Sequence, residues 1–170
     1  MAGPSLELLQ RIPLFADFDR GELERISRTF KDRTFEAGST VVGEGKTGAG
    51  FFVIESGEAT VSMRGDERGK LGPGDYFGEM SLLTGAPRSA TIRAVQETSL
   101  VVLRKEALRP LLVADPMVLE RLSKTLARRQ AERDDAISRA APAEYEGPGA
   151  DRASQLLTRM RRFFGLMLSV

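Results

Sequence analysis

Phe77-Gly78-Glu79-Met80-Ser81-Leu82-Leu83-Thr84-Gly85-Ala86-Pro87-Arg88-Ser89-Ala90-Thr91 sets a carboxylate, an arginine and a run of small residues within reach of one anion. Gly78 lets backbone approach a ligand closely. A short helix from Glu79 to Leu83 would offer free N–H groups at its start. Pro87 fixes its own φ and holds Ala86 extended, so the N–H groups of Ser89 and Ala90 can converge with those of the helix. Arg88 brings a forked donor that can take two oxygens of one phosphate. Glu79 is the odd member, since a carboxylate beside phosphate repels it. It fits if it accepts a hydrogen bond from a hydroxyl of the same ligand, such as a ribose 2′-OH, or if it orients Arg88. The alternative from spacing and residue type alone is a surface loop closed by a Glu79–Arg88 ion pair.

Around this stretch, residues 33 to 104 read as short strands separated by glycine turns. The expected strands are 34–36, 40–42, 51–55, 59–63, 70–71, 90–95 and 100–103. The expected turns include Arg64-Gly65-Asp66 and Gly72-Pro73-Gly74-Asp75. Such spacing points to an antiparallel sandwich or rolled barrel. Gly43-Glu44-Gly45-Lys46-Thr47-Gly48 has the look of a phosphate loop, but Thr40 stands where the first glycine is needed and a strand, not a helix, follows; a hairpin turn accounts for it.

Helical patterns flank the strands. Leu6, Leu8, Leu9 and Ile12 precede a break at Pro13, with Leu14 and Phe15 packing the turn onto the core. Asp19 and Glu22 form a capping box ahead of Leu23, Ile26 and Phe30. After the strands, 105–113 predicts a short helix broken or kinked near Pro110. Asp115-Pro116 starts a longer helix to residue 141 with Val118, Leu119, Leu122 and Leu126 as its apolar stripe. Beyond Leu126 the pattern thins to charges: a solvated face, or one that packs when something is bound.

Residues 142–150 read as a linker between a 6–141 domain and a basic amphipathic helix over 151–168, within a 151–170 tail. That helix carries Leu156, Leu157, Met160, Phe163, Phe164 and Met167 on one side, and Arg152, Arg159, Arg161 and Arg162 elsewhere. The stripe would pack on its own domain or on a second copy, or dock on a membrane surface.

Composition narrows the function classes. The chain has 170 residues, 41% hydrophobic and 29% charged, with a formal net charge of +1. That balance gives no field to attract nucleic acid. With no cysteine and no histidine, thiolate catalysis, zinc–thiolate sites and imidazole general bases are excluded. No Asp/Glu cluster has metal-site spacing. The N-terminus lacks the pattern of an export signal, and no apolar run approaches the ~20 residues of a membrane span, so a cytoplasmic location is expected.

Phe77–Leu82 followed by Pro87–Thr91 resembles the phosphate-binding cassette of cyclic-nucleotide-binding domains. Ile12-Pro13-Leu14-Phe15, Phe51–Gly57 and Leu71–Asp75 are similar to other stretches of that family, and the resemblance spans roughly residues 6 to 135. It implies an α+β fold, mainly β: an antiparallel, jelly-roll-like β-roll flanked by N- and C-terminal helices. It further implies that Glu79 takes the ribose 2′-OH and Arg88 the cyclic phosphate. Gly78, Met80, Ser81, Ser89 and Ala90 would line the pocket. Ser89 leaves the nucleotide open, with cAMP favoured over cGMP. Arg129 lies near the place where channel-type members put a lid arginine over the base; from its surroundings alone it belongs to a solvated face. No cofactor beyond the nucleotide, no catalytic residue and no metal site are expected. The expected role is a regulatory, signal-transducing sensor acting on an unidentified effector through its C-terminal helices. The alternative is an interaction module with lost or secondary nucleotide binding.

Overall fold

Ser5 and Asp19 start the first two helices. In the computed structural model, which describes the backbone over residues 3–140 and 151–165 and side chains over 3–129 and 154–165, Ser5 Oγ accepts from the Leu8 N–H and opens α1 (Leu6–Arg11). Pro13 ends it by holding Ile12 extended. A 3-10 turn over Pro13–Phe15 then buries Leu14 and Phe15. Asp19 and Glu22 form the expected reciprocal capping box on α2 (Arg20–Thr29), whose Leu23 and Ile26 are buried together with Phe30.

Eight strands follow: β1 (Lys31–Phe35), β2 (Thr40–Val42), β3 (Gly50–Ser56), β4 (Ala59–Met63), β5 (Asp66–Leu71), β6 (Tyr76–Phe77), β7 (Thr91–Ala94) and β8 (Thr98–Arg104). They make two antiparallel four-stranded sheets, in the orders β1-β8-β3-β6 and β2-β7-β4-β5. The run Phe51-Phe52-Val53-Ile54 is apolar throughout because both faces of β3 are covered. Alternation sends Phe51 and Val53 outward to the helices and Phe52 and Ile54 inward between the sheets. The result is the expected α+β, mainly β roll with flanking helices.

Several boundaries differ from the sequence reading. Asp66 is not part of the turn: Arg64 and Gly65 take positive φ (52° and 83°), making a two-residue hairpin that pairs Met63 with Asp66. β5 is therefore longer than 70–71, but its exposed, polar Asp66–Lys70 shows no apolar alternation to find. β1 and β8 extend each other through a ladder from Lys31↔Val102 to Phe35↔Thr98. β6 escaped notice because it is two residues long, pairing Tyr76 and Phe77 with Val53 and Phe52.

Between β6 and β7 lies the short α3 (Glu79–Thr84). After β8, α4 (Lys105–Ala114) runs through Pro110 without the break that was one of the two expectations there. Pro110 and Glu106 are both exposed, so water can serve the carbonyl that the proline ring frees, while buried Leu108 and Leu112 pin the helix to the core. α5 (Pro116–Ala140) buries Val118, Leu119, Leu122 and Leu126 as expected.

The last helix, α6 (Asp151–Phe164), packs most of its described apolar stripe on its own domain. Leu156, Met160 and Phe164 are buried in the same core as Leu82 and Leu83 of α3 and Leu119 of α5, with Leu157 and Phe163 at its edge. It also ends before residue 168, because Gly165 takes a left-handed φ of 69° and its N–H bonds Arg162 O. The 142–150 stretch and Met167 lie outside the described residues. Among the described residues no helix is long and apolar enough to cross a membrane.

Candidate ligand-binding site

Gly78 turns the chain from β6 into α3 with φ 97°. A Cβ there would sit 2.5 Å from Gly50 O and 2.6 Å from Arg88 Nη1. Glycine is thus required twice, for the left-handed turn and for the close passage of the arginine. α3 lasts six residues; Gly85, at φ 72°, ends it by bonding Ser81 O. Ser81 Oγ then donates to Ala86 O over 2.9 Å and folds the following loop back beneath the helix.

The loop returning toward β7 is clasped by the glycine turn at 43–48, which is not the expected hairpin, since the β2 and β3 it joins lie in different sheets. Arg88 N–H donates to Lys46 O (2.9 Å), and Gly45 N–H donates to Arg88 O (2.7 Å). That turn carries no ligand-facing helix; it holds the backbone of Arg88. The side chain runs inward, Nη1 donating to Gly50 O at 2.9 Å with the guanidinium 5.6 Å from the Phe52 ring centroid. Arg88 is 8% exposed and Glu79 7%, so neither belongs to a surface loop. Among the described residues no carboxylate pairs with Arg88. Burial accordingly pulls its pKa below the ordinary arginine value, though a guanidinium remains charged.

Glu79 is engaged from another direction. Its Oε1 accepts from Arg129 Nη1 at 2.9 Å, and the Arg129 guanidinium lies 5.0 Å from the Tyr76 ring centroid. The solvated-face reading of Arg129 is therefore corrected: an ion pair and a stacking surface draw it inward.

One cavity of about 600 Å3 is lined by Gly78, Glu79, Met80, Ser81, Arg88, Ser89, Ala90 and Arg129, all the residues singled out from the sequence. Its apolar floor was not singled out. Val42, Ile92 and Val61 are neighbours across β2, β7 and β4, in the registers Val42↔Ile92 and Val61↔Ile92, and Leu71 extends them on β5. Strand alternation was the signal for that floor. Tyr76 had none, since its role depends on Arg129. A buried cation, a carboxylate and an apolar floor together suit an anion that also carries a hydroxyl and a flat apolar body.

Residues 32–115 match the family model of the cyclic nucleotide-binding domain. A solved structure of the N-terminal domain of a transcriptional regulator from Streptomyces coelicolor is 30% identical with a TM-score of 0.67, covering 76% of this chain and 96% of that one. The chain belongs to the cyclic nucleotide-binding domain family. A cyclic nucleotide-gated potassium channel of Rhizobium etli is 35% identical over 124 residues, 73% of this chain and 35% of the channel. A cAMP-dependent protein kinase regulatory subunit of Yarrowia lipolytica is 34% identical over 106 residues, 61% of this chain and 28% of the subunit. This cyclic nucleotide-binding domain thus spans about a third of the curated relatives it matches. The one is named as a channel gated by cyclic nucleotide, the other as the regulatory subunit of a cAMP-dependent kinase.

Proposed function

We propose that this domain is a non-enzymatic intracellular sensor that binds a 3′,5′-cyclic nucleotide, with cAMP favoured over cGMP. Arg88 holds the cyclic phosphate, Glu79 takes the ribose 2′-OH, and Gly78, Met80, Ser81, Ser89 and Ala90 close around both. The observation that carries this reading is a buried arginine, without a carboxylate partner among the described residues, in one cavity with a buried glutamate. An isolated buried charge is costly unless something pairs with it, and a phosphate arriving with its own hydroxyl serves both groups. The potassium channel and the kinase regulatory subunit support the same ligand class by their names.

Arg129 is the proposed lid residue. It reaches Glu79 from α5, so ligand binding at Glu79 and the position of α5 are linked, and a population shift of α5 carries the signal onward to an effector. In this reading residues 6–141 form the sensing unit, 142–150 a connection and 151–170 an accessory segment.

Titration calorimetry with cAMP and cGMP tests the proposal. At 100 times its dissociation constant, cAMP should stabilise the fold by about 2.7 kcal/mol, and inorganic phosphate alone should bind poorly. Absence of heat and of any melting shift with both nucleotides at millimolar concentration would overturn it.

A further inference from the structure

Helix α6 lies outside residues 32–115 of the family match, yet it is fastened to the back of the ligand site. Gly85 ends the cassette helix α3, and the ring of Phe163 occupies the space where its side chain would begin: a Cβ on Gly85 would sit 2.5 Å from that ring. Lys105 Nζ lies 3.9 Å from the Phe163 ring centroid. Arg109 Nε donates to Phe164 O over 2.9 Å and so serves a carbonyl at the end of α6. On the other side Arg161 pairs with Glu120 of α5 at 3.7 Å. Leu156, Met160 and Phe164 fill the core shared by α3 and α5.

α6 therefore bridges the two elements that form opposite sides of the cavity. Glu79 and Arg88 belong to the cassette, Arg129 to α5, and the ion pair between Glu79 and Arg129 marks the arrangement in which α6 fits. Two docking events that require the same relative position of α3 and α5 favour each other, by equal factors in the two directions.

We propose that α6 is a strap that raises nucleotide affinity from behind, with Phe163 as the positioning residue that seats the cassette helix through Gly85. This rests on the proposed nucleotide site. Phe163 touches no ligand; it acts through α3.

The test uses the full chain. Phe163→Ala should remain cooperatively folded in a thermal melt and bind cAMP about tenfold more weakly, while Phe163→Leu, which keeps an apolar side chain in the slot, recovers most of the affinity. In the unmodified chain, saturating cAMP should slow amide hydrogen exchange in α6; this arm needs no variant and stands even if Phe163→Ala fails to fold. Unchanged or tighter binding by a folded Phe163→Ala, or α6 exchange indifferent to bound cAMP, overturns the strap and leaves the sensor reading intact. An unmodified chain that binds neither cAMP nor cGMP overturns both.

Discussion

Arg88 and Arg121 are both drawn inward against a phenylalanine ring, the first 5.6 Å from Phe52 and the second 4.9 Å from Phe18. Their surroundings part there. Arg121, on α5, forks onto both carboxylate oxygens of Glu22 on α2 and also donates to Asp17 O. The hydrogen bond to Glu22 raises its pKa above the ordinary arginine value, against a smaller desolvation effect. Arg88 has a backbone carbonyl and a ring, and burial lowers its pKa. The chain supplies the counter-charge in one region and supplies none, among the described residues, in the other. A stacked arginine is thus no signature of a ligand site. What distinguishes the two is whether the fold has already spent the guanidinium's pairing capacity.

That contrast can be broken by experiment. Arg88→Ala should weaken cAMP binding by more than 100-fold, read by calorimetry, while the melting temperature of the unliganded chain stays level or rises because a desolvated cation is gone. A large loss of unliganded stability would make Arg88 structural, like its counterpart. Gly78→Ala sharpens the picture from the backbone side. With a left-handed φ and Cβ contacts of 2.5 and 2.6 Å to Gly50 O and Arg88 Nη1, it should cost about 1–3 kcal/mol of stability in denaturant titration, and nucleotide affinity with it.

Arg121→Ala should show the reverse pattern: about 1 kcal/mol less stable, with cAMP affinity within twofold of the unmodified chain. If it weakened binding as strongly as Arg88→Ala, the division of roles would fail. The smallest effect belongs to a carboxylate with the opposite balance. Desolvation, with Asp32 adding repulsion, raises the pKa of Glu55. The folded state then binds this proton more tightly than the unfolded chain, so stability falls as pH rises from the unfolded to the folded pKa. Glu55 is exposed, so solvent screens most of this effect; Glu55→Gln should be marginally more stable at neutral pH, and the difference should vanish in melts below the carboxylate range.

The cassette was legible because its members are contiguous: Gly78, Glu79, Pro87 and Arg88 each carry a local backbone or charge requirement that spacing displays. The roll was legible because glycine turns punctuate its strands. Pairings between distant segments were not. Arg129 meets Glu79 across 50 residues. The glycine turn finds Arg88 by main-chain bonds that any residues could make. The proline in α4 does not break the helix, because its exposed position lets water serve the freed carbonyl, and the stripe on α6 could not announce which surface would cover it.

The clasp between Arg88 and the 43–48 turn has a consequence for how a ligand meets the site. A free arginine side chain can lose on the order of 1.5–2 kcal/mol of rotamer entropy when it is ordered. Here the backbone is tied at Gly45 and Lys46 and the far end of the side chain at Gly50 O, so that ordering is completed when the chain folds. Under the proposed role of Arg88, its guanidinium is oriented before any nucleotide arrives, and the entropic term left for the encounter belongs to the ligand and to the proposed movement of α5.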